Sequence, residues 1–398
     1  MANKIEFEKI TFESNNLIKK DFLLTFIVPV YNTSKYLTLT LNSIGNFLSD
    51  YIELIIIDDG SEDNSSEVIL NWIKSTKTKT IFIQQNNRGL SETRMTGIKY
   101  STGKYIGFCD SDDFLNLNTY MKMARIAQEQ NLDIAMCRSL VFDHNSGESY
   151  DFYDKDHWYK VLKEKDLKVT DTLSDPEILM MEPNANNRII KKEFLIKNNI
   201  SFPSNLFFED VSVHFISYTK ASKILLYNST GYFYRVGRPG KITDSKSSKR
   251  FDVLNSIKLA TDYSKKKSLT LEQKSSLLFY SCRIIFWCGS NTLNNEKVKF
   301  FKEACKLFQN EFEYDCYMYC CENLLENSQK LILSAFFTGN IDYLLKTSVF
   351  LKKSKFDILK LMMEKQFGIY PRKIAKTVFK DWIKDNIRKL RNKLKWRF

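Results

Sequence analysis

Residues 51–61 read YIELIIIDDGS. An unbroken apolar, β-branched run leads straight into two carboxylates and a glycine. A run without polar alternation marks a strand buried on both faces. The same grammar recurs on either side. FLLTFIVPVY (22–31) reads as a short buried strand ending near Val28, broken by Pro29. TIFIQQ (80–85) and KYIGFCDSDD (104–113) are a third and a fourth strand, the last running into Asp110, Asp112 and Asp113. Helical stretches separate them. Asn32-Thr33-Ser34 is a helix start, followed by Tyr36, Leu37, Leu41 and Ile44 at helical spacing. DNSSEVILNWIKS (63–75) opens with capping residues, and LSETRMTGIKYS (90–101) and NTYMKMARIAQEQ (118–130) follow. Strand–helix alternation of this kind implies an α/β fold, a mostly parallel sheet with helices on both faces. Ligands in such sheets sit beyond the carboxyl ends of the strands. Those ends carry Pro29-Val30-Tyr31, Asp58-Asp59-Gly60 and Asp110-Ser111-Asp112-Asp113.

Further along, DIAMCRSLVF (133–142) reads as a strand and NRIIKKEFLIKNN (187–199) as a short helix. FEDVSVHFISYTKAS (208–222) reads as a helix, and KILLYNSTGYFYRVG (223–237) as a hairpin or strand pair. From Ser248 to Phe350 there is no proline, and Leu254, Ile257 and Leu259, then Leu277, Leu278, Cys282 and Ile285, recur at helical spacing. The expected organisation is an N-terminal extension (1–20), an α/β domain (21–245), a mainly α-helical domain (246–370) and a basic amphipathic helix (371–398). That last segment holds 11 Lys and Arg against 2 Asp, with Ala375, Phe379, Ile383, Ile387, Leu390 and Leu394 on one helical face.

The whole chain has 398 residues, 43% of them hydrophobic and 27% charged, which suits globular folding rather than disorder. Its formal net charge is +13. That excess favours a phosphate-bearing partner or an anionic membrane surface, the latter through 371–398. Most of the charge sits in that one segment and no nucleic-acid motif is present, so nucleic acid is not an expected partner. Eight Cys lack C-x-x-C spacing and only three His occur, which argues against a disulfide framework or a zinc site. No secretory signal or membrane-spanning run is expected, and the expected location is cytoplasmic, peripheral on the inner face of the cell membrane. An oligomer is compatible with the sequence.

Two carboxylates one residue apart at the mouth of a buried strand can share a divalent cation. Their hard oxygens favour Mg²⁺ or Mn²⁺, with substrate phosphates filling the remaining positions. The alternative is a solvated acidic turn. FIVPVYNTSKYL (26–37), LIIIDDGSEDNS (54–65), NNRGLSETRMTGI (86–98) and GKYIGFCDSDD (103–113) together resemble the GT-A-fold glycosyltransferases of family 2. These are inverting enzymes that use nucleotide-diphosphate sugars on a Rossmann-like sheet. The resemblance continues more loosely through NRIIKKEFL, FFEDVSVHF and YFYRVGRPGKIT.

The resemblance implies the following roles. Pro29, Val30 and Tyr31 border the nucleotide base. Asp59 accepts from the uracil ring N–H, which makes a UDP-sugar the expected donor. Asn87 and Arg94 match the family's Asn and Arg, with Arg94 facing the base or diphosphate. Asp110 and Ser111 lie on the ribose side, and Asp112 is the principal metal ligand, with Asp110 as second carboxylate and Asp113 nearby. Asp210 is the general base that takes the acceptor hydroxyl's proton, with Glu209 positioning hydroxyls. Arg235, Arg238 and Lys241 lie on a loop over the donor phosphates, where Gly237 departs from the usual spacing. The implied acceptor is a lipid-linked or surface glycan of the lipopolysaccharide, capsule or teichoic-acid type. His214, one turn after Asp210, is expected to be a partly buried helix residue without a chemical role. Two other readings remain open, a nucleotidyltransferase and a non-catalytic glycan- or lipid-binding scaffold.

Overall fold

A computed structural model describes residues 8–13, 22–45, 51–239 and 247–350. Lys241 and the basic segment 371–398 lie outside the described residues. Within them, residues up to 239 together with 266–273 form one compact unit, and 247–265 with 274–350 form a second.

The first unit opens with β1 (Glu8–Glu13), so part of the expected N-terminal extension joins the sheet. Then come β2 (Leu24–Val30), α1 (Ser34–Gly45), β3 (Ile52–Asp58), α2 (Ser65–Ile73), β4 (Lys79–Gln85), α3 (Leu90–Tyr100) and β5 (Tyr105–Phe108). They are followed by β6 (Phe114–Leu115), α4 (Leu117–Gln130), β7 (Ile134–Asp143), β8 (Ser149–Asp151), α5 (Lys155–Leu162) and β9 (Leu167–Thr170). The unit continues through β10 (Arg188–Lys191), α6 (Lys192–Lys197), α7 (Glu209–Lys220) and β11 (Ile224–Val236).

Among the described residues all eleven strands join one sheet, ordered β1-β4-β3-β2-β5-β10-β7-β11-β6, with β8 on β7 and β9 on β11. The sheet is parallel through β4-β3-β2-β5 and in the β7–β11 pair. β1, β6, β8, β9 and β10 run antiparallel to their neighbours. The sheet is therefore mixed, and the parallel half is the one that carries the motifs.

β2 and β3 are buried along their full lengths because helices cover both faces. Phe26, Val28, Leu54 and Ile56 share a core with Leu37 and Leu41 of α1, Trp72 of α2 and Tyr120 of α4. Ile27, which points the other way, meets α3 at Gly97. A Cβ on Gly97 would stand 2.3 Å from Ile27 Cγ2. Gly97→Ala is expected to cost roughly 1–3 kcal/mol by overpacking. Urea unfolding would check this, and an unchanged midpoint would mean that α3 can shift at no cost.

Three local expectations change. β2 continues through Pro29 to Val30, because β5 has ended by then: its last pair is Phe108 with Ile27. Pro29 therefore lacks a strand partner on that side, where its missing N–H matters least. Residues 188–191 form a strand before the helix at 192–197, held antiparallel between β5 and β7. Residues 224–236 form one strand, not a hairpin. The Asn228-Ser229-Thr230 turn signal is absorbed as register shifts against β7 between Tyr227 and Tyr232.

The second unit contains α8 (Asp252–Lys265), α9 (Leu271–Asn291, whose first residues belong to the first unit), α10 (Lys297–Glu311), α11 (Tyr314–Tyr319), α12 (Asn327–Thr338) and α13 (Ile341–Phe350). Its core is aromatic, with the Phe308 and Phe336 rings stacked at 4.4 Å and Phe286, Phe300 and Phe301 fully buried. Leu254, Ile257, Leu277, Leu278, Cys282 and Ile285 face inward as their spacing suggests, while Leu259 is exposed. All eight cysteines are free thiols. Among the described residues, no helix is long and apolar enough to cross a membrane.

Candidate active site

The carboxyl ends of β2, β3 and β5 bring the three expected clusters to one edge. The strand order makes the β2–β5 boundary the place where successive connections diverge, the usual position of a ligand crevice.

The rim is stitched together. Asn32 takes a left-handed backbone (φ 53°), and its Oδ1 accepts from the backbone N–H of Glu62 at 2.8 Å. Its own N–H donates to Ser61 Oγ at 3.0 Å, and the N–H of Ser34 donates to Asp63 Oδ2 at 3.0 Å. Gly60 has φ +75°, and a Cβ there would stand 2.9 Å from the Asn87 nitrogen, so glycine is required. Pro29 and Val30 are buried in β2, which leaves Tyr31, 47% exposed, to offer a ring to a base. Asn87 is exposed beside Gly60.

Asp59 is buried and already occupied. Its Oδ1 accepts from Gln85 Nε2 (2.7 Å) and the Arg88 N–H (2.9 Å), and its Oδ2 accepts from the Gly89 N–H (2.8 Å). Burial raises its pKa despite these bonds. Asp59 thus anchors the loop after β4 and keeps little free accepting capacity for a base.

In the acidic loop after β5, each residue has a separate task. The Ser111 hydroxyl accepts from Thr33 Oγ1 (2.8 Å), so it ties the loop to α1 and is not an open ribose contact. Asp113 accepts from the Tyr232 hydroxyl and, at 2.7 Å, from the Arg235 N–H, fastening the loop to β11. Asp112 pairs with Arg238 Nε. Asp110 accepts from Arg94 Nη2 at 3.1 Å.

Arg235 and Arg238 separate here. Arg235 is buried, its Nε donating to the Asp112 carbonyl (2.6 Å) and its guanidinium packed over Tyr36, Phe114 and Phe142 at 5.2–5.6 Å. It holds structure. Arg238 lies at the loop edge on the Asp112 carboxylate and over Tyr36, where a diphosphate could take over its charge.

Arg94 is the largest departure from expectation. Its side chain is 2% exposed and packs against the rings of Phe108 (5.6 Å) and Phe202 (5.1 Å), which themselves meet edge to face. One end holds Asp110 and the other, Nη1, holds Glu209 Oε1. Its fork is directed at the protein's own carboxylates, so it crosslinks the acidic loop to the start of α7 instead of facing base or diphosphate. Burial works against its charge, but Asp110, Glu209 and Asp210 together more than offset this and strengthen its hold on the proton.

Glu209 and Asp210 open α7, directly after Phe208, whose left-handed backbone (φ 63°) turns the chain into the helix. Such a conformation in a non-glycine residue is strained and needs surrounding structure to hold it. The helix N-terminus favours the two negative charges. Burial nevertheless raises Glu209, with Arg94 opposing, and pushes Asp210 well above the usual carboxylate range, helped by Glu209 and opposed by Arg94. Asp210 remains half-buried, so it retains access to solvent. A carboxylate with its pKa moved toward neutrality and an open side suits proton abstraction.

Gln85, Tyr36 and Phe202 also brace the site, holding Asp59, Arg238 and Arg94, and none of them carries a motif.

Residues 25–181 match the model of glycosyl transferase family 2. Over 218 residues the chain is 28% identical to glycosyltransferase GlyG of Streptococcus pneumoniae, covering 54% of this chain and 70% of GlyG. It is 26% identical to the poly(ribitol-phosphate) beta-N-acetylglucosaminyltransferase TarS of Staphylococcus aureus, covering 54% of this chain and 36% of TarS. Of Bacillus subtilis EpsJ, an uncharacterised glycosyltransferase, the chain spans 63%. The crystal structure of TarS 1–349 with UDP-GlcNAc shares the fold, with a TM-score of 0.64, 19% identity and coverage of 89% of this chain and 94% of that one. Residues 25–181, which carry the acidic edge, therefore belong to glycosyl transferase family 2, on a GT-A-type sheet.

Proposed function

We propose that this chain is an inverting glycosyltransferase that moves a sugar from a UDP-sugar to a hydroxyl of a surface glycan. UDP-N-acetylglucosamine and a polyol-phosphate chain of the teichoic-acid type are the first donor and acceptor to test. One observation carries the reading. Arg94 holds Asp110, on the donor edge, and Glu209, beside Asp210, in a single guanidinium fork. The candidate base is thus fixed next to the edge where the nucleotide end would lie. The ligands reported for the TarS crystals and the name of that relative support the donor and acceptor classes.

In the displacement, the acceptor oxygen attacks the anomeric carbon on the face opposite the diphosphate. Asp210 takes the hydroxyl proton as the bond forms, and Glu209, fixed by Arg94, holds its end of α7 still. Arg238 leaves Asp112 for the phosphate oxygens as charge develops there. The donor set also fits a divalent cation of the Mg²⁺ or Mn²⁺ type. Asp112 is a buried hard-oxygen carboxylate on a braced loop, with Asp110 two residues away. One or two carboxylates completed by substrate phosphates is the usual arrangement for Mg²⁺. Among the described residues no group of three His, Cys, Asp or Glu forms a cage by itself, so the nucleotide would have to complete the coordination. The ion supplies charge neutralisation for the leaving diphosphate. The basic segment 371–398 is the sequence-based reason to include anionic vesicles among the binding partners tested.

The decisive experiment measures UDP release from a panel of UDP-sugars with and without a polyol-phosphate acceptor, in Mn²⁺ and in chelator, and reads the anomeric configuration of the product. No acceptor-dependent turnover with any donor would sink the reading. Asp112→Asn is expected to lower turnover by at least about 10²-fold and to remove the gain in UDP affinity conferred by Mn²⁺. Calorimetry of UDP binding checks this. Equal affinity with and without metal in the parent protein would remove the cation from the scheme.

A further inference from the structure

Beneath α7 lies a charged group that the scheme above does not use. Arg188 begins β10, opposite Met136 of β7, and is 2% exposed. Its Nη1 donates to His214 Nδ1 at 2.7 Å, its Nε and Nη2 donate to Asn187 Oδ1 at 3.0 and 2.9 Å, and Nη2 also reaches the Glu182 carbonyl. The guanidinium lies over the Tyr218 ring at 5.0 Å. Every one of these contacts is to a neutral group. Arg94, by contrast, is gripped directly by two carboxylates.

A buried cation whose charge no contact cancels acts on carboxylates nearby, because the surrounding medium screens it weakly. His214 and Asp210 are one turn apart on α7 and so share a face. Asp210 is acted on first by burial, then by Glu209 on its own helix, Arg94 from α3, Glu182 from the loop ahead of β10 and, more weakly, Arg188. Two of these are negative and two positive. Arg188 always donates, so His214 must accept at Nδ1 and carry its proton on Nε2. Protonating Nδ1 would place two cations face to face, and burial together with Arg188 holds the imidazole well below its ordinary pKa. The Nε2 proton lies on the side of the Ile178 and Leu179 carbonyls, which oppose the lowering without cancelling it.

We infer that Arg188 is a positioning residue for Asp210: held by neutral His214 and Asn187, its guanidinium supplies the counter-charge that keeps the base's carboxylate ionised and ready. The inference rests on the proposed role of Asp210. On this inference His214, expected to be without a chemical role, orients the cation.

The test uses the full chain with R188Q, R188K, D210N and the R188Q/D210N double variant. In R188Q the acid limb of the kcat–pH profile is expected to move up by about one pH unit. Turnover near pH 6 should fall about tenfold, recover as pH rises, and leave UDP affinity unchanged. R188K should restore most of the original limb. A drop in kcat that is equal at every pH would make Arg188 a packing residue and overturn the inference. Melting curves give an independent arm that needs no turnover. R188Q should destabilise the parent chain, which keeps Asp210, more than it destabilises the D210N variant. If R188Q alone does not fold, D210N should rescue it. Equal losses in both backgrounds, or no rescue, would overturn the inference. If D210N keeps full activity, the role of Asp210 as base fails, while the melting arm still decides whether the two charges are coupled.

Discussion

Asp210→Asn is expected to lower glycosyl transfer by roughly 10²–10⁴-fold while raising the melting temperature. The two effects have one cause. Asp210 has a folded-state pKa raised well above its unfolded value, chiefly by burial. The protonated form is favoured in the fold, so this group supports stability fully below the unfolded pKa. That support disappears as pH rises through the folded pKa. Above that folded pKa the ionised carboxylate is a burden that asparagine does not carry. The gain should be about 2–4 °C for each kcal/mol relieved, and it should vanish below about pH 4, where both proteins hold a neutral side chain. Thermal melts across pH, beside turnover at saturating donor, check the pair of outcomes. Full activity in the variant would reassign the base. A variant less stable at pH 8 would mean that the carboxylate is better compensated than its surroundings suggest.

Arg94→Met carries the second large effect, of opposite sign for stability. It leaves Glu209 and the inner oxygen of Asp110 without their shared cation, and removing one partner of a buried pair typically costs about 3–5 kcal/mol. The guanidinium also packs against the rings of Phe108 and Phe202, so methionine replaces the volume but not the charge. Chemical denaturation is the direct measurement. A loss below about 1 kcal/mol would show that the carboxylates find solvent or each other once released. Turnover should fall with stability, because the same fork sets the distance between donor edge and base.

The sequence made the chemistry-bearing edge legible for a physical reason. Buried parallel strands cannot alternate, so runs such as LIIID and YIGF declare themselves, and whatever follows them must lie at the carboxyl end. It was less informative about what each side chain touches. Arg94 and Glu209 are 115 residues apart, and nothing local in LSETRMTGI shows that its arginine closes on an acid from another helix. Asp59 reads as a base-binding carboxylate, yet the loop that it anchors arrives from β4. Arg235 and Arg238 look equivalent in YFYRVGRPG. They differ because one lies at the buried end of β11 among three aromatic rings and the other at the loop edge. The single strand at 224–236 reads in sequence as a hairpin or strand pair because its polar centre resembles a turn, and only its pairing with β7 irons that out.

The cross-links among Asn32, Ser61, Glu62 and Asp63 have a thermodynamic corollary. Both loops that border the proposed nucleotide crevice are held in place by each other. The configurational freedom of those residues is lost once, during folding, and not again at every turnover. Discrimination among donors then falls to segments beyond this frame, which leaves the frame itself free to serve many sugars unchanged.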